Sequence, residues 1–353
     1  MKKLILSFYA WLDQRLLPIA AKHRLFASCY YAFFNPHFRR EQWATVAGRN
    51  HYRVYEASCQ IASVILRRNL HRLEKGLSMT VRKPLFALDY IDETLSALQN
   101  YLQHTDAIDP ILLTYCHDVL QQYFAVTHWP ATATQPALFE QLQQLMLERL
   151  PRRNNPNTAK QDSAAPKPYG ARTRADISYP EFLKLCQQRC STRNFLAKPV
   201  EQQILEQAVR AAAQAPSACN RQPFRYVAAL SQPMLGKLAA LPMGTVGYAS
   251  NIPAILAVVG DLSAYPFERD RHVIYIDASL ANMQLMLALE TLGLASCAIN
   301  WPDIENYELK ISTLLQLKPF ERVVMLIAVG YPDPAGLVPH SEKKTPAELI
   351  QYV

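Results

Sequence analysis

Apolar residues recur at helical spacing through the first 150 residues of the chain. The longest such stretch predicts a helix over residues 55–75, which Gly76 is expected to end. Further helices are predicted over residues 89–102, 110–126 and 137–150. We therefore expect residues 1–150 to form an all-helical N-terminal domain.

Short apolar runs alternate with helical stretches in the second half of the chain. Strands are predicted over residues 225–230, 255–260, 295–299 and 323–329, and helices over residues 179–190, 200–213 and 277–292. The 255–260 run is apolar throughout, which is typical of a buried strand. Strands separated by helices indicate a layered domain of the α+β class over residues 179–353.

A stretch almost free of large apolar residues separates these two halves. Residues 151–170 are rich in proline, asparagine and charged side chains. Such a composition cannot supply a packed core and favours an extended, flexible connection. We therefore place a flexible linker at residues 151–178.

The formal charge of +8 over 353 residues is unevenly distributed. Residues 1–83 carry 15 Lys/Arg against 4 Asp/Glu, a balance of +11, whereas residues 84–150 carry 1 against 8, a balance of −7. Residues 181–353 carry 15 of each. The basic region can attract a membrane surface or a polyanion, or it can be a solvated face balanced by the acidic segment behind it. We expect no nucleic acid partner.

The seven cysteines are odd in number, and none forms a C-x-x-C pair. This spacing indicates neither a disulfide framework nor a zinc site, and we expect no metal. Unpaired thiols fit a reducing compartment. We therefore expect a cytoplasmic protein, with peripheral attachment at the inner face of the membrane as the open alternative.

The chain begins with a short apolar stretch, Leu4–Leu12, flanked by Lys2, Lys3 and Arg15. No cleavage-like site follows it, and no stretch is expected to span a membrane, which takes about 20 apolar residues. A helix with basic flanks can lie on a membrane surface. We favour an ordinary core helix over that alternative.

The segment Arg189–Phe195 sets two guanidiniums and a hydroxyl close together. Arg189 and Arg193 are expected one helical turn apart at a helix end, so that both face the same way. A guanidinium donates two parallel hydrogen bonds to a phosphate, and Ser191 adds a hydroxyl donor. The pattern predicts a site for a phosphate ester, although taken alone it is also typical of a solvated helix end.

The segment Ala215–Pro223 predicts a tight turn that carries amide side chains. Pro216 and Ser217 favour the turn, and Asn220 and Gln222 can each donate and accept hydrogen bonds. Such amides suit the edge of a heteroaromatic ring that presents alternating donors and acceptors.

Together these two segments resemble the flavin-binding signature of the nitroreductase family, dimeric oxidoreductases that depend on FMN. Later stretches match further family motifs in the same order, over residues 277–287, 290–301 and 329–349. The resemblance covers about residues 181–353. It implies a three-layer α/β/α domain, an FMN cofactor and a homodimer, with the helical N-terminal domain in front.

The resemblance also implies a role for each matching residue. The FMN phosphate and ribityl chain would be held by Arg189, Ser191, Arg193 and Lys344, of which Lys344 stands where the family usually has arginine. The flavin ring would be reached, from the partner subunit, by Pro216, Ser217, Asn220 and Gln222. Backbone groups near Asn300 and Trp301 would lie beside flavin N5. No catalytic acid or base is expected among these residues.

The implied reaction is hydride transfer from NADH or NADPH to flavin N5 and then to a small-molecule acceptor, in a ping-pong sequence. One alternative keeps the fold but makes the protein a flavin-dependent dehydrogenase or a flavin-consuming enzyme. Another is a non-catalytic flavoprotein or interaction subunit of cell-surface polysaccharide biosynthesis, because residues 67–79 resemble an extension on nitroreductase-like proteins associated with that process.

The same segment carries five side chains that can be cationic: Arg67, Arg68, His71, Arg72 and Lys75. They could bind a phosphate or a sugar nucleotide. They could also form the charged outer face of an ordinary helix, which we favour.

Overall fold

In the computed structural model, residues 2–56, 62–104, 108–150 and 163–353 are described. The helices of the first half are α1 (Lys2–Ala20), α2 (Arg24–Cys29), α3 (Arg39–Glu56), α4 (Ala62–Leu77), α5 (Ile91–His104), α6 (Pro110–Val126) and α7 (Gln135–Arg149). A π-helical turn, Tyr30–Phe34, and a 3₁₀ turn, Pro36–Phe38, connect α2 to α3. The helical character predicted for this half is confirmed, while residues 57–61 of the predicted 55–75 helix lie outside the described residues.

Helices α4 to α7 share one hydrophobic core. On α4 the buried residues include Ile65, Leu66, Leu70 and Leu73. Steps of three and four residues keep such side chains on one side of the helix, where they meet α5 and α6. Each fully buried leucine or isoleucine stabilises the fold by about 1.5–3 kcal/mol. The apolar stripe of α4 therefore holds this four-helix unit together.

Gly76 does not end α4, contrary to the prediction, because the helix continues through it to Leu77. A Cβ atom at Gly76 would lie 2.2 Å from Cε2 of Phe86. The glycine therefore serves the close approach of the Phe86 ring to the helix and not a helix stop.

Helix α3 packs on the C-terminal half of the chain. Ala44 is buried in a cluster with Leu262, Ala264, Tyr265, Ile274 and Phe320. The guanidinium of Arg40 donates to both carboxylate oxygens of Glu305, at 2.9 and 3.0 Å. Gly48 lets the two backbones approach, since a Cβ atom there would lie 2.8 Å from the Leu262 carbonyl. The helices before residue 150 thus contribute to two separate clusters.

The second part of the predicted linker is attached to α6. The Ala164 N–H donates to Oδ2 of Asp118 at 2.8 Å, and Nε2 of Gln122 donates to the Pro166 carbonyl at 3.2 Å. Residues 151–162 of the predicted linker lie outside the described residues.

The C-terminal half contains a four-stranded antiparallel sheet in the order β1-β2-β4-β3. Its strands are β1 (Phe224–Ala229), β2 (Ala254–Asp261), β3 (Ala295–Asn300) and β4 (Glu321–Gly330). Its helices are α8 (Tyr179–Gln188), α9 (Gln202–Ala212), α10 (Met234–Ala239), α11 (Val273–Thr291), α12 (Glu305–Leu315) and α13 (Pro346–Leu349). Each predicted strand is present, with its ends shifted by no more than about two residues.

Helices cover both faces of this sheet. One face packs against α9 and α11 through residues such as Leu256 and Ile327. The other packs against α10 and α12 through their sequence neighbours, Ile255 and Leu326. Successive residues of a strand point to opposite faces, so the apolar run of β2 is buried on both sides. The predicted three-layer α/β/α fold is confirmed.

Among the described residues, Glu268–Thr291 is the one helical stretch long and apolar enough, by length and composition, to cross a membrane. The sequence predicted no such stretch. Its residues Ala278, Ala281 and Leu285 are buried against the sheet, which is how the core helix of a layered domain behaves.

Candidate functional site

The first predicted motif lies beside strand β3. Helix α8 ends before Arg189, and the chain then runs extended, with Ser191 bridged to Ser296 and the Thr192 N–H donating to the Ser296 carbonyl at 3.1 Å. Arg189 and Arg193 are therefore not one helical turn apart, as the sequence predicted. Alternate residues of an extended segment share a side, which still gives Arg189, Ser191 and Arg193 a common side.

The guanidiniums of this motif offer hydrogen-bond donors with few partners. Nε of Arg189 is buried and has no hydrogen-bond partner within the described ranges. Arg193 is exposed; its Nη1 donates to the Ser191 carbonyl at 3.3 Å, and its guanidinium carbon lies 5.9 Å from the centre of the Tyr248 ring. A buried donor left unpaired is costly. The arrangement therefore suits an anion that accepts from Arg189.

Glu290 is the acidic neighbour of Arg189. Burial raises the pKa of Glu290, and a hydrogen bond from Gln188 and the charge of Arg189 oppose that rise. Nε2 of Gln188 donates to Oε2 of Glu290 at 3.3 Å. Glu290 is thus a partly buried carboxylate beside the Arg189 guanidinium.

The second predicted motif forms a tight turn anchored on α11. Oδ2 of Asp277 accepts from the Ser217 hydroxyl at 2.7 Å and from the Ala218 N–H at 2.9 Å. The Ser217 hydroxyl oxygen in turn accepts from the Gln222 N–H at 2.8 Å. Nε2 of Gln222 donates to Oδ1 of Asn220 at 3.0 Å. The buried carboxylate of Asp277 thus anchors the turn to α11.

The backbone of this turn is left-handed at Cys219, Asn220 and Gln222, with φ of 52°, 51° and 51°. Residues other than glycine adopt this conformation at a cost of about 1 kcal/mol or more each. The hydrogen bonds to Asp277 offset that cost. Pro216 is exposed at the start of the turn, and the side chains of Asn220 and Gln222 are half-buried.

The helical half touches the same turn. Helix α4 packs against residues 218–220. The Tyr115 hydroxyl of α6 donates to the Glu74 carboxylate and is also hydrogen-bonded to Asn220. Burial raises the pKa of Glu74. A cavity of about 290 Å³, lined in part by Arg67, Glu74, Tyr115 and Asn220, separates the two halves here.

Asn300 and Trp301 lie at the end of β3, away from Ser296. The Asn300 side chain is exposed, whereas Trp301 is buried and its Nε1–H donates to Oε1 of Glu308 at 2.6 Å. The indole is therefore held in the core. The backbone of Trp301, and not its side chain, can therefore face a ligand.

Lys344 lies in the exposed C-terminal segment. This segment leaves the sheet beside the first motif, because the Asp333 N–H donates to the Asn194 carbonyl at 3.1 Å and Nδ2 of Asn194 donates to the Leu337 carbonyl at 3.3 Å. These contacts hold the start of the segment near Arg193 and leave the Lys344 side chain in solvent.

The two motifs lie at opposite edges of the sheet. The first runs beside β3, and the second leads into β1, which is the other edge strand. Three strand spacings separate these edges, or about 14 Å. Ser191 also lies near the start of β3, whereas Gln222 lies level with its end. Within one chain, the phosphate motif and the amide turn therefore do not meet.

Three residues near the motifs were not predicted as site residues: Asp277, Tyr115 and Tyr248. Asp277 had a usable signal, because it is the one charged residue in the apolar stretch 273–289. Tyr248 lies between Arg193 and Cys297, with its hydroxyl 3.9 Å from the Cys297 sulfur. Burial raises the pKa of Tyr248 to about 12, so its hydroxyl stays protonated at neutral pH.

The C-terminal half is thus an antiparallel sheet covered by helices on both faces, with an arginine segment at one edge. The sequence model of the nitroreductase family matches residues 186–241 and 234–331 of this chain.

Individual relatives match the same half of the chain. The protein named "Putative NAD(P)H nitroreductase MhqN" from Bacillus subtilis is 26% identical over 211 residues, which cover 49% of this chain and 99% of the relative. A "Putative NADH dehydrogenase/NAD(P)H nitroreductase" from Archaeoglobus fulgidus is 29% identical over 158 residues, 43% of this chain and 86% of the relative. A solved FMN-dependent nitroreductase from Clostridium difficile is 22% identical with a TM-score of 0.41, covering 48% of this chain and 98% of its own.

Proposed function

We propose that this protein is an FMN-dependent oxidoreductase that takes a hydride from NADH or NADPH and passes it to a small-molecule acceptor. The observation that carries the proposal is the buried Nε of Arg189, which has no hydrogen-bond partner among the described residues and lies beside Ser191 and Arg193 at an edge of the sheet that the family model matches. Family membership supports the reaction class, and the nitroreductase names of the relatives support the hydride donor.

The side chains of the first motif fit the phosphate end of FMN. Arg189 and Arg193 supply donors only, and a planar guanidinium matches a phosphate with two parallel hydrogen bonds. Ser191 lies between them and can donate a third. Lys344, on the exposed C-terminal segment, would add a point charge.

The second motif would hold the ring end. When bound, FMN supplies the redox chemistry by accepting a hydride and giving it up. Pro216, Ser217, Asn220 and Gln222 would brace the ring, with Asp277 fixing the turn behind them. Backbone groups of Asn300 and Trp301 would line its reactive edge. We assign no side chain as a general base, so the proton that follows the hydride would come from water.

Two features support a homodimer with the site between subunits. Helix α11 exposes Ile276, Leu280 and Met283, which are four and three residues apart and share one helix face. The C-terminal segment exposes further apolar residues, among them Leu337 and Leu349. A symmetric partner that covers these surfaces can bring its amide turn to the other subunit's arginines, which the separation within one chain otherwise prevents.

A cytoplasmic location is part of this proposal, and the cysteines support it. Cys29, Cys116, Cys186, Cys190, Cys219 and Cys297 are free thiols. A role in polysaccharide production has weaker support. The cations of α4 are matched with carboxylates, Arg67 with Asp109, Arg68 with Glu93 and Arg72 with Asp89. We therefore place no sugar-nucleotide site on that helix.

The proposal is tested by replacing both arginines of the first motif. The double variant Arg189→Ala with Arg193→Ala should purify folded but colourless, because the phosphate loses its directional donors. The matched control is Arg174→Ala with Arg210→Ala, two exposed arginines outside both motifs, which should stay yellow. Flavin retained by the first pair would refute the phosphate site.

The reaction is tested by anaerobic titration of the yellow wild-type protein. Bleaching by NADH or NADPH, followed by reoxidation with an added acceptor, is the expected result. A yellow protein that neither nicotinamide bleaches would instead favour a dehydrogenase or a flavoprotein without turnover.

A further inference from the structure

The segment from the end of α1 into the first turns of α3 carries large apolar side chains that no described part of the chain covers. Their exposed fractions are 74% for Phe33, 62% for Leu25, 55% for Trp43, 54% for Phe26 and 50% for Phe34. Isolated exposed apolar residues are ordinary on proteins, but a group of this size marks an interaction surface. We call residues 11–43 the N-terminal apolar surface.

Helix α1 belongs to this surface. Trp11, Leu17 and Ile19 are about half exposed. An ordinary core helix would bury these three positions. Of the stretch Leu4–Leu12, for which the sequence predicted a core helix, only the side chains of Trp11 and Leu12 are described, so that prediction stays open. Of residues 11–20 of α1, Ala20 at the end of the helix is the one that is buried.

Cations accompany the apolar side chains. Lys22 and Arg24 are exposed at the turn between α1 and α2, directly before Leu25 and Phe26. Arg15 lies over the Trp11 ring, with its guanidinium carbon 5.4 Å from the ring centre. Residues 11–43 carry 5 Lys/Arg against 2 Asp/Glu, a balance of +3, and of these cations Arg40 is paired with Glu305.

A groove runs along the same surface. It has a volume of about 560 Å³ and is lined by Asp13, Phe33, Phe34, Asn35, Pro36, His37 and Arg39. Apolar rings and a guanidinium in one groove match the two ends of a lipid, its acyl chain and its phosphate. Asp13, which also lines the groove, accepts from the Tyr30 hydroxyl, and the cations Arg15 and Arg39 of the same surface outnumber it.

We infer that the N-terminal apolar surface binds the face of a membrane that contains anionic phospholipid. Phe26, Phe33 and Phe34 would enter the boundary between head groups and acyl chains, and Lys22 and Arg24 would contact the phosphates. The charge selects this occupant over a second copy of the chain, because two such surfaces would each bring a positive balance to the contact. Association would be peripheral, and the flavin domain would stay in water.

The test is co-sedimentation of the full-length protein with phospholipid vesicles. Binding should be at least about tenfold stronger to vesicles of phosphatidylcholine with phosphatidylglycerol than to phosphatidylcholine alone, and should weaken as salt rises. Trp11 and Trp43 are half exposed, so tryptophan emission should shift to the blue on binding.

Two variants separate the apolar from the electrostatic part. Phe33→Ser with Phe34→Ser should lower binding by about tenfold or more, since each phenylalanine buries apolar area in the membrane. Lys22→Glu with Arg24→Glu should remove the preference for anionic vesicles and leave the rings unchanged. Val81→Ser, at a 90% exposed residue elsewhere, is the control and should bind like the wild type. Co-purifying flavin and far-ultraviolet dichroism should be unchanged in all three.

Equal binding to neutral and anionic vesicles, or unchanged binding by both double variants, would overturn the inference. So would self-association of the wild type in sedimentation velocity that the phenylalanine variant abolishes, because the occupant would then be a second copy. Loss of flavin in the arginine variants of the catalytic half would leave the membrane result untouched, so the two proposals can fail separately.

Discussion

Asp277 shows how one buried carboxylate can hold a strained turn. It accepts from the Ser217 hydroxyl and the Ala218 N–H, and the turn it anchors has three left-handed residues. Hydrogen bonds to a charged acceptor contribute about 1.5–3 kcal/mol. The two bonds to Asp277 together are comparable with the summed cost of the three left-handed residues, so this carboxylate stabilises the turn in its observed conformation.

Replacing Asp277 with asparagine is expected to lower the free energy of unfolding by about 1–3 kcal/mol. The acceptor loses its charge, and the asparagine NH₂ group is itself a donor near the Ser217 hydroxyl and the Ala218 N–H. Denaturant unfolding followed by circular dichroism measures this change. The control Asp176→Asn removes an exposed carboxylate and should change stability by less than about 0.5 kcal/mol. Equal stability of Asp277→Asn and the wild type would contradict the role given to Asp277.

The sequence predicts residues whose type and spacing suit a ligand, and misses those that act through distant partners. Arg189, Ser191 and Arg193 could be chosen by their donors alone. Asp277 contacts Ser217 across 60 positions of the chain, and Tyr115 reaches Asn220 from another unit. Spacing along the chain carries no information about such contacts, because the fold creates them.

Among the elements, α3 depends most on close backbone contact. Gly48 faces the carbonyl of Leu262, where an added Cβ atom would lie at 2.8 Å. The obstacle is backbone, so it cannot move aside as a flexible side chain could. In a solvated helix, replacing glycine with alanine would stabilise by about 1 kcal/mol.

Gly48→Ala is nevertheless expected to destabilise the protein by about 1–3 kcal/mol, because overpacking against backbone outweighs the helix propensity. Thermal or denaturant unfolding decides the sign. Gly170→Ala is the matched control, since no atom lies within 4 Å of its added Cβ, and it should be neutral or slightly stabilising. A stabilised Gly48→Ala protein would show that α3 is not docked as described.

Periodicity predicts elements better than their ends. The 110–126 helix has the predicted bounds because Asp109 caps it and Pro110 starts it, both local signals. A local rule predicts that the 55–75 helix ends at Gly76. The close packing of the Phe86 ring against this position instead explains why the residue is glycine. Local chemistry therefore predicts a boundary where no neighbour intervenes.

For the whole molecule, the proposed dimer is the arrangement on which the flavin site depends. The exposed face of α11 carries Leu280 at its centre, between Ile276 and Met283. A charge buried in an apolar interface costs several kcal/mol. Leu280→Glu is therefore expected to yield a monomer.

If the ring is braced from the partner as proposed, Leu280→Glu should also lose its flavin, although Arg189 and Arg193 are intact. Analytical ultracentrifugation and the visible spectrum measure the two effects together. Leu309→Glu, at an exposed leucine on α12, is the control and should stay dimeric and yellow. A yellow monomer would mean that one chain binds the flavin alone.

The pairing of Arg40 with Glu305 also bears on how the chain is made. The two residues are 265 positions apart. A ribosome that adds about 5–20 residues per second would synthesise Arg40 roughly 13 to 53 s before Glu305. Until Leu262, Ile274 and Phe320 are synthesised, Ala44 lacks the neighbours that bury it in the complete fold. Synthesis slowed or stalled before residue 305 should therefore expose α3 to proteolysis, while α4 to α7 are already complete.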